Sequence, residues 1–241
     1  MNVWGGFRRS PPLFGSGSRS AFTHSLWLLK ALGFAWIGLW MPSVSVATET
    51  QSTRPSFFNS VEIRSNDLRP FRKWRGALLR YSKERARERA GNCKSTLFNV
   101  CHYEELESFL DGIRSDGRWT QLRAINHYMN TRRYITDPRN WGVPDYWATP
   151  GEFMERFGDC EDYAIAKFLS LRRLGWSNDE LRVAAVKDLN LNIGHAVLIV
   201  FFEGKAWLLD NQIKQVIESR SVRHYRPIFS LNESSWWRHR T

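Results

Sequence analysis

Apolar positions change their period along the chain. From residue 70 to about 175 they recur at helical spacing, and beyond 180 they gather in short runs. Trp74, Leu78 and Tyr81 fall at i, i+4 and i+7, which predicts a helix from about Pro70. Leu106, Phe109, Leu110 and Ile113 form one stripe over Tyr103–Ile113, and Leu122, Ile125 and Met129 share a face over Arg118–Asn130. Asp137-Pro138-Arg139-Asn140 and Gly142-Val143-Pro144 are turn chemistry. Thr149-Pro150-Gly151-Glu152 has the form of a helix start, with Thr149 as N-cap and Pro150 at the first helical position. Another helix is expected over Glu161–Leu174, stopped by Gly175. The β-rich runs are Leu181–Val186, His195–Phe202 and Ala206–Leu209, the last two joined by a short Glu203-Gly204 link. Helices first and strands afterwards, without alternation, point to an α+β fold whose helical N-terminal part packs on an antiparallel sheet.

Residues 1–47 are different. They hold Arg8, Arg9, Arg19 and Lys30 but no acid, then an apolar run from Ala31 to Met41, then small residues at Ser45-Val46-Ala47. That is the layout of a secretory signal peptide, and the uninterrupted apolar run is about half of the roughly 20 residues a spanning helix needs. The chain is therefore expected to be exported. Its 241 residues, 42% hydrophobic and 14% aromatic, suffice for one sizeable core, so a monomer is the default.

The net charge of +11 comes largely from the stretch Arg69–Arg89. Such a basic helix could meet nucleic acid, an anionic membrane or an acidic partner. A solvated face with Trp74, Leu78 and Tyr81 inward is the commoner arrangement, and no nucleic-acid module accompanies the charge, so no nucleic acid is expected. Of three cysteines, Cys93 and Cys101 lie eight apart across an expected loop and could bridge, which would leave Cys160 as a free thiol. No CxxC or HxxxH spacing supports zinc.

The chemistry concentrates at Gly158-Asp159-Cys160-Glu161-Asp162-Tyr163-Ala164. Cys160 stands where a helix begins, and a helix N-terminus favours thiolate and offers N–H groups to an oxyanion. His195 follows at the start of one strand and Asp210 at the end of the next. Cys, His and Asp in those places are the parts of a thiol nucleophile, its base and the base's orienter. The acids Asp159, Glu161 and Asp162 would oppose thiolate formation unless something positive sits among them, and calcium is a plausible occupant. A plainer reading stays open: Cys160 as a small core residue, His195 as a satisfied sheet histidine, Asp210 as a turn former, the acids as a favourable helix start.

The run Trp147-Ala148-Thr149-Pro150-Gly151-Glu152-Phe153, the Gly158–Lys167 segment, His195-Ala196-Val197-Leu198 and Leu209-Asp210-Asn211 resemble the bacterial transglutaminase-like cysteine proteinases, in particular their LapG-type periplasmic adhesin proteases. The resemblance covers about residues 70–220, with 48–69 as an N-terminal extension and 221–241 as a C-terminal tail. It implies a papain- or transglutaminase-like core, a triad of Cys160, His195 and Asp210, and calcium held by Asp159 and Glu161. It further implies a large surface adhesin as substrate, cut near its N-terminus to control biofilm attachment. The partner it implies is an inner-membrane receptor that senses cyclic di-GMP. The same triad would also serve a transglutaminase or an amidase.

Overall fold

A computed structural model describes residues 54–89 and 100–241, with side chains for 54–86 and 103–241. The expected leader 1–47, Cys93 and the side chain of Cys101 lie outside the described residues.

The chain opens with strand β1 (Val61–Ser65) and helix α1 (Arg72–Arg89). Next come α2 (Val100–Ile113), α3 (Arg118–Asn130), the single turn α4 (Asp137–Asn140), α5 (Pro150–Arg156) and α6 (Cys160–Arg173). The remaining strands are β2 (Leu181–Asp188), β3 (Ile193–Phe202), β4 (Lys205–Leu209), β5 (Ile217–Glu218), β6 (Tyr225–Leu231) and β7 (Trp236–Arg240). They form one antiparallel sheet in the order β1-β7-β6-β2-β3-β4-β5. The mixed helix and antiparallel-sheet architecture is the one expected.

Both faces of the sheet are covered. On one face Val183, Ala185, Leu198 and Val200 pack under the helices against Ile165, Phe168 and Leu169 of α6. On the other, Val186, Val197, Ile199 and Leu208 meet Phe57, Phe58, Val222 and Tyr225. Strand residues alternate between the faces, so a central strand buried on both sides reads as an unbroken apolar run. β6 carries Pro227, which cannot donate to the ladder. Opposite it the register with β2 slips between Ala185 and Val186, leaving Ile228 as the extra, exposed residue of a bulge.

The basic stretch on α1 is in part an intramolecular ion-pair face. Lys73 pairs with Asp145, Arg80 with Glu152 at 3.0 Å and Arg85 with Glu107 at 3.8 Å, while Trp74 is fully buried beneath them. Within the segments expected as an N-terminal extension and a C-terminal tail, Val61–Ser65, Tyr225–Leu231 and Trp236–Arg240 are strands of the sheet: β1 pairs with β7, and β6 is the inner neighbour of β2. In β7 the residues alternate, Trp237 and His239 inward and Arg238 and Arg240 outward.

Candidate active site

Helix α5 sets up the approach to Cys160. The Thr149 hydroxyl accepts from Glu152 N–H at 3.2 Å, and Thr149 N–H donates back to the Glu152 carboxylate at 2.8 Å, a reciprocal cap where the sequence announced only the Thr149 N-cap. The chain leaves α5 through Phe157 at φ 63°, a backbone region that costs a non-glycine residue of order 1–3 kcal/mol. Gly158 follows because nothing else fits: a Cβ there would lie 2.0 Å from Asp162 Oδ2. Asp162 is wholly buried with both oxygens engaged. It accepts from Ala148 N–H at 2.7 Å and Asp159 N–H at 3.2 Å, tying the two helix starts together.

Cys160 is thereby the first residue of α6, buried at 4% exposure. Its sulfur contacts the backbone N–H of Ala196, the neighbour of His195 on β3, and its thiol donates to Glu161 Oε2 at 3.1 Å. Burial, then the charges of Glu161 and Asp159, push this thiol well above its ordinary value. His195 and Asp210 are brought together: Nε2 bonds Asp210 Oδ1 at 2.9 Å, both side chains buried. Tyr225 O–H donates to Asp210 Oδ2 at 2.8 Å, Gln212 N–H to Oδ1 at 2.9 Å, and the Asn130 amide to the Asp210 carbonyl at 2.7 Å. Burial alone would raise the Asp210 carboxyl, but the bond and charge of His195, helped by Gln212 and Tyr225, hold it below the usual value. With Nε2 engaged, the other imidazole nitrogen, Nδ1, lies 3.4 Å from Gln212 Nε2.

The opposite flank of Cys160 is a cluster of carboxylates. Ile135 N–H bonds the Gly158 carbonyl at 2.9 Å, and this pairing carries Asp137 to the nucleophile's side. Donor atoms of Asp137, Asp145 and Glu161 lie within 4.8 Å of one another, as do those of Asp137, Asp159 and Asp162 and those of Asp159, Cys160 and Glu161. Buried oxygens of Asp137, Asp159 and Glu161 have no hydrogen-bond partner among the described residues. Burial first, and then mutual repulsion, raise all three carboxyls, Asp137 to about 7. Hard oxygens left unsatisfied in one place fit a calcium ion. Asp159 and Glu161, expected as ligands, are both in the cluster. Asp162 is the least suited, since its two oxygens are already occupied by main-chain N–H groups.

Sequence reasoning missed several participants. Asp137 looked like a turn former, and Asp145 was given no role. Tyr225, Gln212 and Asn130 carried no signal, because only the fold brings them to Asp210. Lys167, seven residues into α6 from Cys160, is fully buried, and its ammonium has no hydrogen-bond partner among the described residues, only the Tyr163 ring 5.9 Å away. Burial lowers it to about 7, against the pull of the Asp210 charge.

Comparison with known proteins places this geometry. The model of the bacterial transglutaminase-like cysteine proteinases matches residues 92–239. The solved structure of calcium-bound Legionella pneumophila LapG shares 27% identity over 64% of this chain and 86% of that one, with a TM-score of 0.55. The EGTA-treated form of the same Legionella protein aligns over 66% and 86%, also at 27% identity, with a TM-score of 0.56. Among curated protein sequences none matches. Because the family match spans well over half of its length, the chain belongs to the bacterial transglutaminase-like cysteine proteinases and is a cysteine peptidase.

Proposed function

We propose that the protein is an exported, calcium-dependent endopeptidase that cuts a large cell-surface adhesin near its N-terminus and so controls biofilm attachment. The observation that carries the reading is the set of partnerless carboxylate oxygens of Asp137, Asp159 and Glu161 beside Cys160. The relative with a solved calcium-bound form and an EGTA-treated form adds to it. In this reading Cys160 is the nucleophile, His195 the base and Asp210 its orienter. Asp210 on Nε2 fixes the proton there and leaves Nδ1, now beside the Gln212 amide, as the unprotonated nitrogen that can act as base. Cys160 sulfur attacks the substrate carbonyl, and His195 takes the thiol proton. The Cys160 backbone N–H, at the helix N-terminus, stabilises the oxyanion. The C–N bond then breaks as His195 hands its proton to the leaving amine. Water, deprotonated by His195, attacks the thioester, the C–S bond breaks and the acid product leaves.

Asp159 and Glu161, joined by Asp137 and Asp145, would hold the calcium, whose charge offsets carboxylates that otherwise disfavour the thiolate. An inner-membrane receptor sensing cyclic di-GMP is the regulatory partner this reading implies. The test is purified protein mixed with the N-terminal segment of a large adhesin from the same cell. Cleavage is followed by mass spectrometry with and without chelator, beside Cys160→Ala. One calcium-dependent cut, absent in the variant, is the expected result. Incorporation of a labelled amine without backbone cleavage would shift the assignment to a transglutaminase or amidase on the same core.

A further inference from the structure

β3 is longer than the strand that covers it. Its pairing with β4 runs only from Phe202↔Lys205 to Leu198↔Leu209, after which the chain turns away at Asp210. The two-residue link Glu203-Gly204 makes Phe202 and Lys205 a hydrogen-bonded closing pair, so Val200 and Leu198 also point their N–H and C=O toward β4. The same period carries that side of β3 on to Ala196 and Gly194, where β4 no longer exists. Ala196 N–H meets Cys160 sulfur there. Gly194, one step further, makes no hydrogen bond outside the ladder among the described residues, and its alternation points it away from β2. The nucleophile therefore sits at the boundary between a paired and an unpaired stretch of strand edge.

Three apolar side chains around that edge are exposed. Ile193 is 37% exposed and stands two positions before His195, on the same face of the sheet and roughly 7 Å along the strand. Leu189 and Leu191 on the adjoining turn are 49% and 57% exposed. The turn is braced. Asp188 Oδ1 accepts from the N–H groups of Asn190 and Leu191 at 2.8 and 3.0 Å, and Leu189 N–H bonds the His224 carbonyl at 2.8 Å. Braced leucines facing water on the turn that leads into the nucleophile's strand are an arrangement a lone fold gains nothing from.

We propose that this edge is where the polypeptide substrate docks. An extended stretch of it adds as a strand alongside Gly194, and an apolar side chain near the cut bond rests on Ile193, with the Leu189–Leu191 turn gripping residues further out. The inference rests on the endopeptidase reading and adds the substrate's form: extended, without proline at the position paired to Gly194, and apolar on the side facing Ile193. Main-chain bonds supply affinity, and Ile193 supplies selection.

The experiment uses the full chain with calcium and a peptide spanning the mapped cut. That peptide is compared with versions N-methylated at one main-chain nitrogen at a time, alongside Ile193→Asp and Leu191→Asp proteins. Iodoacetamide alkylation of Cys160 reports the nucleophile without any docking. The expected result is a loss in kcat/KM of about tenfold for N-methylation at an alternate position near the cut. A loss of similar size, mainly in KM, is expected for Ile193→Asp, with alkylation unchanged and a smaller loss for Leu191→Asp. A flat N-methyl scan with unchanged variants overturns the docking edge while the protease stands. Loss of alkylation in Ile193→Asp together with a flat scan also overturns it, giving Ile193 a role in holding His195. A wild-type protein that alkylates but cuts no polypeptide overturns the endopeptidase reading and the docking edge with it. The N-methyl scan needs only wild-type protein, so misfolded variants do not spare the proposal.

Discussion

Cys160 stands between two polar neighbourhoods built on opposite principles. On the β3 side, His195, Asp210, Tyr225 and Gln212 form a closed network in which both Asp210 oxygens accept hydrogen bonds and the carboxyl is held low. On the α4 side, Asp137, Asp159 and Glu161 are as deeply buried but keep oxygens with no partner, and their carboxyls are raised. A network that satisfies itself is complete as folded. One that leaves anionic oxygens in the dark is completed by something added.

The sharpest break is at the shared element. Cys160→Ala should abolish cleavage while far-UV circular dichroism and the melting temperature stay close to wild type; residual cutting would move the nucleophile elsewhere. Next comes the closed side. Asp210→Asn should lower kcat on the order of 10³–10⁴-fold, because an amide permits the wrong imidazole tautomer. The open side should respond to ions instead. Saturating calcium should raise the melting temperature by roughly 5–10 °C over chelator, the shift expected when free ion exceeds Kd a hundredfold. Asp137→Asn with Glu161→Gln should erase that response and melt higher than wild type in chelator.

The two sides should also differ in pH dependence. Asp137 is raised from 3.8 to about 7 by burial and its acidic neighbours, so the folded protein binds a proton that the unfolded chain releases. Stability in chelator should therefore fall as pH rises from about 4 to 7, and calcium should flatten that slope. Asp210, held below its ordinary value, acts in the other sense, its contribution lost only in acid as pH falls through its folded value. The smallest effect belongs to Tyr225→Phe. It removes one hydrogen bond to Asp210 and should cost about 1 kcal/mol of stability by denaturant titration, with a modest drop in kcat.

How readable these two sides were in the sequence follows from where their information resides. α3 spans Arg118–Asn130 as the spacing predicts, and the Thr149 cap and the Glu203-Gly204 link are where local chemistry puts them. Each is settled within a few residues. Asp159 and Glu161 were visible as acids flanking a cysteine, but Asp137 reaches them only through the pairing of Ile135 with Gly158. Tyr225 meets Asp210 because β6 lies beside β2, and that pairing joins distant segments. β6 was hidden further by Pro227 and its bulge, which disturb the alternation that marks a strand.

One pairing has a bearing on how the molecule comes into being. β1 is sealed by β7, and Ser60 and His239 at that seam share a hydrogen bond 2.8 Å long between residues 179 apart in the chain. Closing so long a loop is slow compared with forming any helix here. A chain emerging N-terminus first would hold Val61–Ser65 as a raw strand edge until residues 236–240 arrived to latch it. For that interval assembly is a race between self-closure and sticking to a neighbour, and the acidic and basic side chains of Glu62 and Arg64 on that edge are what discourage the wrong partner.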